Sequence, residues 1–287
     1  MFVKRFISTI ILLAIFSCII FGNKLVSGIS FMILGSVLSF FAPYEMCNIL
    51  KQSGKPVFTK LVSTIVLISF LLLAGTFFLI DQNVLIPEFG FVFFLLIIAA
   101  LPWFFLLFII GKEKGLDRIL NSCAVGFLFI PPFMMLESIY FMYGVNVFLF
   151  LILGTKIGDI GAYVVGTSTN KLMKSRGGNH KMIPSISPGK SWEGAVGGLI
   201  ISVIFAVSLS GYAFPELDYG IWLFVLIGIF LFIFGAAGDL AESCIKRVCG
   251  VKDSGNTIPG IGGVFDLVDS LLLNSLLFGI LFALILG

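Results

Sequence analysis

Charged side chains are scarce in this chain: Asp, Glu, Lys and Arg make up 11% of its 287 residues, against 59% hydrophobic. A soluble domain is about half apolar and a quarter charged, so that class is excluded. Histidine is nearly absent, and the single His180 leaves no histidine-based zinc centre. The five cysteines, Cys18, Cys47, Cys123, Cys244 and Cys249, form no Cys-x-x-Cys pair and no metal-ligand spacing. No basic stripe interleaved with aromatics exists, so nucleic acid is not an expected partner. A Walker phosphate loop is missing too: Gly189-Lys190-Ser191 has Pro184 where that motif needs its first glycine.

What the chain has instead is apolar runs, with 33 Phe among them. Nine runs approach the roughly 20 residues needed to cross a bilayer core, near 5–21, 25–42, 61–80, 91–110, 119–136, 140–158, 194–213, 221–238 and 266–286. The fold class expected is therefore all-α, a polytopic integral membrane protein of about nine transmembrane helices. Lys and Arg concentrate on cytoplasmic loops. With the N-terminus cytoplasmic and the C-terminus outside, every one of the 18 basic residues except Lys24 falls on or beside a cytoplasmic segment. The outer loops then hold Asp81, Glu88, Glu137, Glu216 and Asp218. Cys244 and Cys249 fall on the reducing side, where a disulfide would not persist. The net charge of +3 matches loops drawn to an anionic inner leaflet. The first run reads as a retained helix, since no small-x-small cleavage site follows it and its loss would break the alternation downstream.

Residues 1–150 have short loops and almost no charge inside the spans, which marks them as scaffold, with Pro102, Pro131 and Pro132 expected to kink their helices. Residues 151–287 carry the polar chemistry in helices and cytoplasmic loops. A Lys and an Asp, Lys156 and Asp159, stand among glycines at the end of the sixth run, where Gly154-x-x-x-Gly158 allows helices to approach closely. A basic loop over 166–193 ends in Ser187-Pro188-Gly189-Lys190-Ser191-Trp192-Glu193-Gly194. Gly238 to Ser270 then gathers eight charged residues, and charge at the edge of apolar helices normally faces partners, ions or substrate.

Asp239 closes the eighth run, and Asp266 and Asp269 open the ninth on one helical face. Hard carboxylate oxygens without His or thiolate beside them suit Mg²⁺, which keeps several waters and binds through few carboxylates plus substrate phosphates. Asp266 and Asp269 also suit the macrodipole as first-turn acids, an explanation that equals metal binding only for Asp269. Lys190, Lys246, Arg247 and Lys252 add cations, and acids holding Mg²⁺ beside Lys and Arg is the set that phosphoryl transfer needs. Gly260, Gly262 and Gly263 let backbone amides approach a phosphate, although a simple turn explains them equally well.

Ser243-x-x-Lys246-Arg247-x4-Lys252-Asp253-Ser254-Gly255, followed by Ile258-Pro259-Gly260, Gly262-Gly263, Asp266 and Asp269, resembles the signature of phosphatidate cytidylyltransferases, or CDP-diacylglycerol synthases. Asp159-x-Gly161-Ala162-Tyr163-x-x-Gly166 and Ser187-Pro188-x-Lys190-Ser191-x-Glu193-Gly194-x-x-Gly197-Gly198 are similar to that family's upstream blocks. The resemblance implies transfer of the cytidylyl group of CTP to phosphatidic acid, giving CDP-diacylglycerol and pyrophosphate for phospholipid synthesis. It implies catalysis by Asp239, Lys246, Lys252 and Asp266, and substrate binding by Lys190, Ser191, Ser243, Arg247, Asp253, Gly260, Gly262 and Gly263. Mg²⁺ would sit on Asp239 and Asp266, with Asp269 and Asp159 as further ligand candidates and room for a second cation. The partners implied are CTP, phosphatidic acid and the lipid bilayer, with a homodimer compatible. The setting implied is a bacterial inner (cytoplasmic) membrane with the site on its cytoplasmic side.

Three positions depart from the pattern. Ile261 and Leu267 stand where the family usually has His and Arg, and Ser191 replaces Thr but keeps the hydroxyl. The first two leave open a CTP-dependent enzyme acting on another lipid phosphate. CDP-alcohol phosphotransferases are excluded, because their Asp-Gly-x-x-Ala-Arg element needs an Asp-Gly dipeptide that this chain lacks. A transporter of an anionic solute is the alternative from a different class, opposed by the absence of a visible repeat and by polar residues gathered at one face.

Overall fold

The computed structural model describes residues 2–81, 115–215, 220–260 and 262–286. The expected span at 91–110 lies outside these residues, as do Glu88, Pro102, Lys112, Lys114, Glu216, Asp218 and Ile261. In lipid no water is present to pair with backbone amides, so apolar runs fold as helices that satisfy themselves. The helices are α1 (Phe2–Phe21), α2 (Lys24–Gln52), α3 (Thr59–Asp81), α4 (Leu116–Leu172), α5 (Trp192–Ala213), α6 (Ile221–Val248) and α7 (Phe265–Leu286). Six of them are long and apolar enough to cross a membrane, and Phe6–Phe21 is a shorter apolar helix. The chain is an all-α polytopic membrane protein. Its strands are a small antiparallel hairpin, β1 (Lys181–Ile183) and β2 (Ser187–Ser191), pairing Lys181 with Ser191 and Ile183 with Ser187.

Helix α4 has 57 residues, which would be roughly 86 Å if straight, nearly three times a bilayer core. It is interrupted at Gly144, whose φ of 86° and ψ of 172° are non-helical, while Pro131 and Pro132 lie inside the helix. This corrects the placement of Glu137 in an outer loop. Residues 137–143 contain no turn-forming glycine, proline or asparagine, so the helix passes through them, and Glu137 is fully buried. Helices also outrun their apolar windows. The helix formers Ala241, Glu242, Lys246 and Arg247 carry α6 well past residue 238, so Asp239 lies within a helix instead of at its end.

Two compact units emerge, neither continuous in sequence. Unit 1 joins Met1–Met142 with Val248–Val268; unit 2 joins Tyr143–Arg247 with Asp269–Gly287. Unit 1 packs on rings: Phe31 stacks on Tyr140 with centroids 4.1 Å apart, and Phe70 lies edge-on to Phe133. In unit 2 glycines set the spacing. A Cβ on Gly228 would lie 2.6 Å from Val203 Cα, and one on Gly238 would lie 2.7 Å from the Asp269 carbonyl oxygen.

Candidate active site

Unit 2 brings three acids together. Asp239 and Glu242 stand three residues apart on α6, one helical turn, and Asp269 comes from α7. One carboxylate oxygen from each lies within 4.8 Å of the others. The close approach of the two helices follows from Gly238, whose missing side chain leaves room for the backbone of Asp269 and Ser270.

Like charges held this close need cations, and each acid has a lysine. Lys190 Nζ is 2.8 Å from Asp239, Lys246 Nζ is 2.9 Å from Glu242, and Lys156 Nζ is 3.6 Å from Asp269. The lysines arrive from β2, α6 and α4. Lys190 also donates to the Ala236 carbonyl at 3.2 Å, and Lys156 to Ser270 Oγ at 2.9 Å. Ser270 Oγ in turn reaches Asp159 at 3.4 Å, which links a fourth acid to the cluster. Ser243 Oγ donates to Asp239 Oδ1 at a long 3.5 Å. Arg247 Nε donates to the Ile186 carbonyl at the hairpin turn.

A cavity of about 490 Å³ opens beside these groups, lined by Asp159, Lys190 and Asp239 together with Tyr163, Asn170, Asn179, Lys181, Ser191 and Phe232. Ser191 is the N-cap of α5, accepting the Gly194 amide at 3.2 Å, and its hydroxyl also accepts from Asn179 Nδ2 at 3.2 Å. Such a wall offers charge at one point and hydrogen-bonding and aromatic surface elsewhere, the mixture that a nucleotide or a lipid headgroup requires.

The other residues singled out from the sequence belong to unit 1. Lys252 and Asp253 are exposed. Asp266 accepts the Gly263 amide at 3.3 Å. Gly260 and Gly262 have φ of 81° and 133°, values glycine adopts without strain, and a bridge between Ile258 and Gly262 closes the turn. The turn is tied to α1, where Ser8 Oγ donates to the Pro259 carbonyl at 3.0 Å.

Sequence reasoning passed over Glu242, Lys156 as a cluster cation, and Glu45. Glu242 was legible as the residue one helical turn beyond Asp239. Glu45 stands just past an apolar run, where a buried acid demands partners; in unit 1 it accepts from Ser254, Thr257 and the Phe265 amide.

Comparison with known proteins adds to this geometry. A phosphatidate cytidylyltransferase of Staphylococcus saprophyticus subsp. saprophyticus is 46% identical over 127 residues, 44% of this chain and 45% of that protein. The enzymes so named from Staphylococcus haemolyticus and Staphylococcus aureus (strain COL) are 44% and 41% identical over the same length and shares. These alignments span about 45% of the curated relatives' own length. The cytidylyltransferase family profile matches residues 3–285, so nearly every helix described above falls within it, and the chain belongs to the cytidylyltransferase family.

Proposed function

We propose that this chain transfers the cytidylyl group of CTP to phosphatidic acid, forming CDP-diacylglycerol and releasing pyrophosphate. The observation that carries the proposal is the lysine-matched acid cluster, whose Asp239 and Lys190 line a cavity large enough for a nucleotide moiety. A phosphatidate oxygen attacks the α-phosphorus of CTP, the bond from that phosphorus to the bridging oxygen breaks, and pyrophosphate leaves. Phosphatidate is already ionised at neutral pH, so no strong general base is required.

The donor set fits Mg²⁺, being oxygen-only and convergent. Asp239, Glu242 and Asp269 would hold it, with Asp159 close by and Asp266 as the signature's further candidate; a second cation is compatible with so many acids. When bound, the ion supplies charge neutralisation to the nucleotide phosphates. The lysines have a complementary task. Lys190 and Lys246, held against acids, exchange those partners for phosphate oxygens, while Arg247 and Lys252 add charge for the triphosphate or the headgroup. Ser191, Ser243 and Asp253 stand as substrate contacts, with Gly260, Gly262 and Gly263 admitting phosphate to the backbone.

The proposal includes the setting: nine spans, an N-terminus in the cytoplasm, and a site at the cytoplasmic face of a bacterial inner membrane, where CTP arrives from water and lipid enters sideways. A homodimer is compatible with it. Residues 151–287 carry the chemistry and 1–150 support it. A second substrate, a different lipid phosphate, is favoured by Ile261 and Leu267 in place of His and Arg.

The test is incorporation of radiolabelled CTP into lipid by the purified protein in vesicles. The native chain is expected to label phosphatidic acid, and Asp239→Ala and Asp269→Ala to lose at least about 10²-fold, the scale for removing one preorganised charge-stabilising group. Equal labelling by all three would refute the acid assignment. Labelling only of a non-glycerol lipid phosphate would establish the second substrate instead.

A further inference from the structure

One buried carboxyl group gathers both ends of the glycine loop. Glu45, near the end of α2, is 2% exposed. Its Oε1 accepts the Thr257 hydroxyl at 2.5 Å, and its Oε2 accepts the Ser254 hydroxyl at 3.2 Å and the Phe265 amide at 2.9 Å. All three donors come from the segment 254–265, more than 200 residues away in sequence. The fit leaves no slack. A Cβ on Gly255 would lie 2.6 Å from Glu45 Oε1, and one on Gly263 would lie 2.8 Å from Oε2.

Phe265 is the first residue of α7, so its N–H is one of the amides that a helix leaves without an intrahelical partner. Helices usually satisfy such amides from a residue just before the helix. Here the acceptor comes from another helix, and a carboxylate at this end also suits the helix dipole. The same α7 carries Asp266 in its first turn. Fixing its first amide therefore fixes where Asp266 stands at the start of the helix.

We propose that Glu45 is a positioning residue for cytidylyl transfer, closing the loop 254–265 so that Gly260, Gly262 and Gly263 face substrate and α7 begins at one defined place. This rests on the proposed activity. The N-terminal region thus sets the geometry of the signature loop as well as filling space around it.

The experiment compares native protein with Glu45→Ala, Glu45→Gln and Thr257→Val by amide hydrogen exchange over 251–265 and by steady-state kinetics in vesicles. Glu45→Ala is expected to speed exchange in that segment and to raise KM for CTP about tenfold, since a slackened loop forfeits ground-state binding. Glu45→Gln should restore most of the native KM, because the Thr257 hydroxyl can turn to accept from the amide while the remaining oxygen still accepts. Thr257→Val, which leaves Glu45 in place, should fall between. A purely structural role would lower the amount of active protein and leave KM alone, so KM unchanged in Glu45→Ala overturns the proposal, as does unchanged exchange. If the native chain fails to label phosphatidic acid, the proposed activity falls, while the exchange measurement still decides whether Glu45 clamps the loop.

Discussion

Glycines do different things in the two units. In unit 1 the notches at Gly28 and Gly35 receive rings, those of Phe78 and Phe70, so helices are spaced by the thickness of an aromatic side chain. In unit 2 a Cβ on Gly194, Gly228 or Gly238 would instead meet backbone atoms within 3 Å. Rings are present in unit 2 as well, but on α7 they gather at Phe278 and Phe282, more than two turns beyond Asp269. Rings space these unit 1 helices; backbone contact brings the unit 2 acids together. Carboxylates on short side chains converge within 4.8 Å only if the helices bearing them nearly touch.

Gly238→Val breaks that difference most directly. The new side chain would collide with the Asp269 carbonyl, which belongs to backbone and cannot rotate away. Overpacking of this kind costs roughly 1–3 kcal/mol. The larger effect is on activity, where a displacement near 1 Å removes about 10²-fold. Gly28→Ala is the matched control: it meets only side-chain ring atoms, of Phe78 and Phe141, which can shift. It is expected to leave CTP incorporation near the native level. Equal activity losses in the two variants would show that close packing around Asp239 has no special part in the site.

Much of this contrast was legible in the sequence, and the rest was hidden for definite reasons. Asp239, Asp269 and Lys190 were visible because charge stands out against apolar helices, and the structure places all three in one cluster. Hydropathy marks where a helix leaves the bilayer but not where it stops. That is why Glu242, well inside α6, went unmarked and why the break in α4 was placed near Glu137 instead of at Gly144. Glu45 escaped because its three donors are remote in sequence, and no local pattern announces a partner more than 200 residues away. The hairpin over 181–191 was lost in a loop rich in serine, glycine and proline, whose short strands lack the alternation that identifies longer ones.

Lys156 sharpens the comparison at its next level. Helix α7 contains no Lys or Arg, with Leu267 beside Asp266, so the cation opposite Asp269 has to come from elsewhere, and α4 supplies it. A lysine that merely anchored α4 at the inner leaflet would be replaceable by any long side chain. Lys156→Met keeps the length and apolar stem but removes the charge and the donor to Ser270. It is expected to lower kcat/KM about tenfold, the tenfold per roughly 1.4 kcal/mol that one charge-assisted hydrogen bond supplies. Lys156→Arg should recover part of this. Native kinetics in Lys156→Met would reduce the residue to an anchor.

The smallest effect is expected at the edge of unit 2, where His180 Nδ1 lies 2.6 Å from Glu193 Oε1. The pair looks important because it joins the start of the hairpin to the first turn of α5, and the hairpin delivers Lys190. Its ring, however, is 77% exposed, and exposed pairs contribute little. The backbone does the holding. The His180 amide donates to the Glu193 carboxylate at 3.1 and 3.2 Å, and its carbonyl accepts the Trp192 amide at 3.0 Å. His180→Ala keeps all of these bonds, so activity is expected within about twofold of native. Glu193→Ala removes the shared acceptor and should cost more, in CTP incorporation and in protection of the hairpin amides. The reverse order would assign the junction to the imidazole, and would make the chain's single histidine a working part of the site after all.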